Sequence, residues 1–335
     1  SSVRNDGQMI PFLPEDDLSV IRDKIVANGY HFSVSSNWVV ELSKERRARM
    51  RSRRYPVGGP SRRESSTSGL DPLDSYLGRS LSARFDWRNV NGYSYIGPVR
   101  QQGSCGSCYA FGACAAAEGT YNLATNSYNE NCVDFSEGFI TFCLDSFYDG
   151  FDGCRGSSYD YMELDALVRE GVCLEDLLPY DPATADCPLE LPVPTIHLDS
   201  WHRLPCNDII AIKTAIYYFG VVDVAVMTNP AFDAYQSGIY EDSMTLCQHR
   251  DSGLCYYATT DHIVALVGWD DNGGDGYWIL RNSWGTDWGE DGYMRIKYRA
   301  AHIACAACYL VFTPDQPGPA KPADVAPWLP LLLSD

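Results

Sequence analysis

Apolar positions early in the chain recur at Leu18, Ile21 and Ile25, with Val20 and Val26 alongside. That spacing predicts a short amphipathic helix stopped near Asn28-Gly29. Residues 1–13 read as a flexible lead-in, and 31–34 and 38–40 as extended segments. From 44 to 63 the apolar pattern is lost. Nine Lys/Arg and one acid, Glu45, lead into Ser65-Ser66-Thr67-Ser68-Gly69. Such a stretch is a poor core-former and a good exposed, cleavable linker, although a solvated basic helix over 41–54 fits the same residues. Beyond residue 80 the pattern turns globular. Helical periodicity is expected over 108–123, 161–171 and 208–219, and strands over 221–227, 262–268, 276–282 and 292–297. Helices first and strands after predict an α+β architecture in two lobes.

The 335 residues carry a net charge of −18, which argues against nucleic acid as a partner. The charge is uneven: residues 1–80 sum to +3 and the rest to −21. A weakly basic front can pair with an acidic body, or both can simply be solvated. No apolar run approaches the ~18–20 residues of a membrane span. The 13 cysteines are odd in number and many for a reducing compartment, so the chain is expected to be exported. If one thiol is a nucleophile, twelve remain, enough for six bridges.

The candidate nucleophile is Cys108. It stands where the glycine-rich loop Gln102-Gly103-Ser104-Cys105-Gly106-Ser107 runs into the apolar stretch 110–117. A thiol at the first turn of a buried helix meets unpaired N–H groups that favour its thiolate, the reactive form. Cys105-x-x-Cys108 alone also reads as a redox pair. No zinc-type Cys/His spacing accompanies it, so no metal and no cofactor are expected. Among six histidines, His262 follows Thr260-Asp261 and opens an apolar strand, where it can take a thiol proton. Alone, it reads better as a satisfied structural histidine. Twenty residues on, Asn282 falls near it if the two segments pair as a hairpin. Its amide oxygen would then fix the ring, and Trp284 would cover that bond from water.

Together these residues amount to a resemblance. Gln-Gly-Ser-Cys-Gly-Ser-Cys-Tyr-Ala-Phe over 102–111, Asp-His-Ile-Val-Ala-Leu-Val-Gly-Trp over 261–269 and Asn-Ser-Trp-Gly-Thr-Asp-Trp-Gly-Glu-Asp-Gly-Tyr over 282–293 resemble the three signature blocks of papain-like cysteine peptidases. Order and rough spacing agree. The resemblance implies a helical lobe with a central catalytic helix carrying Cys108, a strand-rich, barrel-like lobe carrying His262, and a cleft between. It implies Cys108 as nucleophile, His262 as base and acid, Asn282 as orienter and Gln102 as oxyanion donor. It implies bridges Cys105–Cys154 and Cys143–Cys187. Substrate contacts carry over to Gly156, Ser157, Ala225, Thr260, Leu310 and Trp284. The second family glycine is Ser157 here, which changes the surface against the substrate backbone.

Implied by the same resemblance are a propeptide over 1–80 that inhibits its own enzyme, a peptidase domain over 81–313 and a Pro-rich tail over 314–335. The short first segment is similar to that of cathepsin B-like enzymes, and Phe85-Asp86-Trp87-Arg88-Asn89-Val90 resembles the mature start of cathepsin C-like ones. The region after Cys154 has no His-bearing occluding insert, and 80 residues are too few for an exclusion domain. An endopeptidase zymogen is therefore expected, monomeric, secreted or endolysosomal to vacuolar, acting on proteins or peptides with a hydrophobic P2 side chain. The alternatives are an exopeptidase and a non-catalytic binding or storage member.

Overall fold

The computed structural model describes residues 9–51, 55–56, 65, 67, 69–144, 151–159, 161–183, 187–188, 196–244, 248–249, 255–256, 259–271 and 276–314. The tail expected over 314–335 lies outside them from residue 315 on.

The first segment forms α1 (Leu18–Asn28), β1 (His31–Val34), α2 (Trp38–Glu41), α3 (Lys44–Arg49) and β2 (Tyr55–Pro56). Asp17 caps α1 through the N–H groups of Ser19 and Val20, and Gly29 ends it in the left-handed conformation. The following chain supplies β3 (Arg84–Asp86), α4 (Cys108–Thr125), α5 (Met162–Arg169), β4 (Ser200–Arg203), α6 (Ile209–Phe219), β5 (Val222–Val226) and α7 (Pro230–Asp233). Then come β6 (Tyr235–Tyr240), the small pair β7 (Gln248–His249) and β8 (Cys255–Tyr256), β9 (Thr259–Thr260), β10 (His262–Asp270), β11 (Tyr277–Arg281), β12 (Tyr293–Lys297) and β13 (Ala306–Val311). The main sheet runs β1-β6-β12-β11-β10-β5-β13-β4, with β3 on β10. Helix α4 packs across β10 and β5 on one side, with α5 behind it, which gives the expected helical and strand-rich lobes.

Three expectations change. Residues 38–40 are a helical turn, because the Asn37 carboxamide accepts from the N–H groups of Val39 and Val40 and nucleates it. The lead-in is anchored at its end: Asn28 bonds the Ile10 backbone in both directions, and Phe12 packs into the Tyr30–Phe32 ring cluster. The basic stretch is not all linker, since Met50 and Arg51 run into the body of the protein (below). Both bridges that the resemblance implies are formed, and more thiols stay unbridged than the nucleophile alone. Cys105–Cys154 and Cys143–Cys187 are bridged and Cys206 and Cys305 are each in a disulfide, while Cys108, Cys114, Cys132, Cys173 and Cys308 keep their thiols. Cys114 sits on α4 among fully buried alanines, where burial holds its thiol well above the ordinary range.

The helix reaches the sheet closely because two side chains are missing. A Cβ on Gly112 would stand 2.5 Å from Ile263 Cγ2 and 2.7 Å from Asp223 Oδ1; one on Gly119 would stand 2.2 Å from Val221 Cγ2. Behind this seam, Glu118 of α4 and Arg281 of β11 form a buried ion pair at 3.3 Å. Glu118 also accepts the Phe135 N–H, and burial outweighs its partners enough to push its carboxyl to about 7. Arg281 precedes Asn282, so the pair ties the helix to the strand end that carries the asparagine.

Gly112→Ala tests the seam. Alanine is favoured over glycine in a helix by about 1 kcal/mol, but overpacking against Ile263 and Asp223 costs about 1–3 kcal/mol. The expected result of a denaturant titration is a lower midpoint at unchanged slope. A midpoint equal to or above that of the parent would show that the sheet yields and the close approach is dispensable.

Candidate active site

Cys108 is the first residue of α4. Its cap residue, Ser107, makes no side-chain capping bond. The Ser107 hydroxyl instead meets Tyr180 Oη at 2.7 Å, and Tyr180 donates to the Gln102 carbonyl at 3.0 Å. No side chain therefore competes for the positive end of the helix where the thiol sits. The loop before it is pinned by the Cys105–Cys154 bridge and by Gly106 N–H on the Cys154 carbonyl, 2.9 Å.

On the facing strand, His262 begins β10 and is fully buried. Its Nε2 lies 2.8 Å from Asn282 Oδ1, which also accepts the Ser283 N–H at 2.8 Å. An oxygen that accepts from a backbone N–H identifies the acceptor end of the amide, so the His262 proton stands on Nε2. Nδ1 is then the basic nitrogen, and no described residue hydrogen-bonds it. Trp284 stacks on the imidazole at 4.7 Å and 28°, and is itself fully buried, which screens the Asn282 bond from water. Gly112, one turn along from Cys108, abuts Ile263, the neighbour of His262. The start of the helix and the start of the strand thus meet.

Gln102 is buried between them. Its Oε1 accepts from Ser283 Oγ at 2.6 Å, which turns Nε2 outward. Ser283 consequently orients two site residues, Gln102 by its hydroxyl and Asn282 by its N–H. Sequence reasoning passed over it; its place inside the Asn-Ser-Trp block was the available signal.

The outward Nε2 of Gln102 donates to the Met50 carbonyl, 2.7 Å, and to the Cys105 carbonyl, 2.7 Å. Residues of the first segment thus occupy the centre. The Arg49 and Arg51 carbonyls lie so near Gly106 that a Cβ there would meet them at 2.8 and 3.0 Å. Arg51 hydrogen-bonds both carboxylate oxygens of Asp233 and stands 3.7 Å from Asp261. Its charge acts on Cys108 and on His262. Burial pushes the His262 imidazole down to about 3; the Asn282 bond opposes the shift and Arg51 adds to it. Upstream, Trp38 Nε1 donates to the Trp284 carbonyl at 2.8 Å, and β1 lies antiparallel on β6. Downstream, β2 pairs with β9, Tyr55 opposite Thr260.

Of the substrate contacts carried over, Ala225 and Thr260 flank the His262 end of β10. Ala225 pairs with Ile263 on one side and Ala306 on the other. Leu310 is not brought to them: it lies four residues along β13, opposite Trp201. Ala306 holds the place expected for it, because the strand after Cys305 starts pairing earlier than the resemblance implied. Gly156, at φ +101°, follows the bridged Cys154 turn. The Ser157 hydroxyl turns inward to the Tyr159 carbonyl at 2.9 Å, so the extra Oγ is removed from the cleft.

Comparison with known proteins agrees with this geometry. The model of the papain family of cysteine proteases matches residues 81–311. A probable cysteine protease of Arabidopsis thaliana, RD21B, is 30% identical over 82% of this chain, and cysteine proteinase COT44 of Brassica napus is 34% identical over 64%. The chain spans only 56% and 60% of the lengths of these two relatives. Among solved structures, digestive procathepsin L 3 of Tenebrio molitor is 26% identical with a TM-score of 0.65, covering 88% of each chain. A cysteine protease of Carica candamarcensis, solved with E-64, is 28% identical with a TM-score of 0.54, covering 70% of this chain and all of the other. The thiol on a helix start, the imidazole on a strand start and the matched span of 231 residues lead to one conclusion: the chain belongs to the papain family of cysteine proteases.

Proposed function

We propose that the chain is a cysteine endopeptidase in precursor form, with residues 1–80 as its inhibitory propeptide and 81–313 as the peptidase domain. The observation that carries this reading is the Met50 carbonyl on Gln102 Nε2. A donor oriented by Ser283 holds a peptide carbonyl beside a helix-start thiol and an asparagine-anchored imidazole.

In the released enzyme, the Cys108 thiol gives its proton to His262 Nδ1, and the helix end and the imidazolium hold the thiolate. Sulfur attacks the substrate carbonyl carbon. The carbonyl electron pair moves onto oxygen, which Gln102 Nε2 and the Cys108 N–H stabilise. Removing one such donor typically costs about 10²–10³ in kcat. The C–N bond then breaks as His262 hands its proton to the leaving amine. Water, deprotonated by His262, cleaves the acyl-enzyme and restores the thiol. The wall at Ala225, Thr260 and Ala306 suits an apolar P2 side chain.

The direction of the bound segment explains why it is not consumed. It runs from Trp38 at Trp284, through Met50 at Gln102, to β2 against Thr260. A substrate whose P2 side chain fills the Ala225–Thr260 wall runs the other way. The short α1 and α3 support the short, cathepsin B-like type of propeptide, and the disulfides support an exported, endolysosomal or vacuolar protein.

Two outcomes are expected. First, after removal of the propeptide, an epoxide-type thiol reagent labels the protein and an internally quenched peptide is cut; Cys108→Ala abolishes both. Labelling without internal cleavage would make it an exopeptidase, and no labelling a binding protein. Second, His262 is held neutral in the precursor, with a folded value below the ordinary 6.5. An opened state binds the proton that the closed state refuses. Closure is therefore fully favoured above 6.5 and weakens as pH falls, by about 1.4 kcal/mol per unit from this group. Release of the N-terminal segment, followed on gels, should speed up from pH 7 to pH 5. A flat rate would remove His262 as the trigger.

A further inference from the structure

Asp233 ends α7 beside the catalytic centre. Its backbone is fixed, because its carbonyl accepts from Trp288 Nε1 at 3.0 Å, and the adjacent Phe232 packs edge-on to Trp284 at 5.9 Å. Its carboxylate side chain is only 3% exposed and carries the Arg51 guanidinium on both oxygens. Asp261 stands on the other side of that guanidinium. It is held by the Thr228 N–H at 2.9 Å and hydroxyl at 3.2 Å, and directly precedes His262. This is a preformed cation site, seen here with a cation in it. The ion pairs made by the Asp233 carboxylate among the described residues come from Arg51 and from Arg47 at 3.9 Å. Both belong to the segment that is lost on maturation. Release therefore leaves a carboxylate that is held in place and has lost its countercharge, a state that favours any ligand restoring it.

The position of the site relative to the reacting bond follows from the two walls of the cleft. Thr260 and Ala225 bound the side that receives the residues before the scissile bond. Asp233, through Phe232 and Trp288, belongs to the Trp284 side; with the residues before the scissile bond on the Ala225–Thr260 wall, the residue after it falls on this side. We infer that Asp233, with Asp261 behind it, is a specificity-determining subsite that takes a lysine or arginine side chain on the residue following the scissile bond. Arg51 is its resident occupant in the precursor. The inference rests on the peptidase reading above.

The test uses the matured enzyme and internally quenched peptides that differ only at that residue: Arg, Leu or Glu. The expected order of kcat/KM is Arg, then Leu, then Glu, with Arg about tenfold over Leu, equivalent to about 1.4 kcal/mol. In Asp233→Asn the Arg-to-Leu ratio should fall to near one. Equal cleavage of all three peptides by the parent would overturn the subsite while leaving the peptidase intact, and would reduce Asp233 to an anchor for the propeptide. So would an arginine preference confined to the residue before the scissile bond. Failure to cut any peptide, with no thiol labelling, would overturn the peptidase reading and this inference with it.

Discussion

Cys108 and His262 are 154 residues apart in the chain, and the elements that begin with them are brought together because a helix lies directly on a sheet. Gly112 and Gly119 permit that contact. A side chain at either position would meet the sheet and push the helix that carries Cys108 away from the strand that carries His262. Everything else in the site is adjusted to this seam. Glu118 ties the same helix to Arg281, so Asn282 is referenced to α4 as well as to its own strand. Ser283 then sets the orientation of Gln102 and Asn282 from one residue. The site is a set of short reaches from one rigid junction.

Much of this was legible in the chain. The apolar run of β10 following a histidine, the glycine-rich loop ahead of an alanine-rich helix, and the three signature blocks led to the fold and to the principal residues. What could not be read depended on side chains meeting across distant segments. The Asn37 carboxamide turned 38–40 from extended to helical, a local capping effect that a propensity reading of Trp-Val-Val conceals. Leu310 was misplaced because strand register after Cys305 is set by pairing with β5, which sequence spacing does not report. The connectivity beyond the two implied bridges was not legible because parity says nothing about which thiols are buried apart from a partner, as Cys114 is on α4. The basic stretch was the most instructive case. Its charge pattern resembled a linker, and only the buried carboxylates 180 or more residues away give Arg51 a reason to be inside.

If residues 1–80 are the propeptide proposed above, the precursor is arranged electrostatically against its own chemistry. A guanidinium next to the thiol favours negative charge on sulfur, as an imidazolium would, but it cannot donate a proton to a leaving amine. The same charge, with burial, keeps His262 neutral. On that reading the first segment places the Arg51 guanidinium where the reaction needs an imidazolium. On the proposed reading, inhibition is chemical as well as steric: the Met50 carbonyl is held on Gln102 beside an imidazole that carries no proton to give.

The pairing of β1 with β6 bears on the proposed release of the first segment. While the precursor is intact, β1 ends the main sheet, and β6 is an interior strand with β12 on its other side. Once β1 leaves, the β6 row of N–H and C=O groups becomes an open edge, and open edges template pairing with other chains. The exposed Gln236 and Ser237 along that strand make it tolerant of water. On the proposed reading the first segment therefore also shields the newly folded sheet from association with its neighbours, a protective duty separate from silencing the thiol, and its release exchanges that shield for an open cleft.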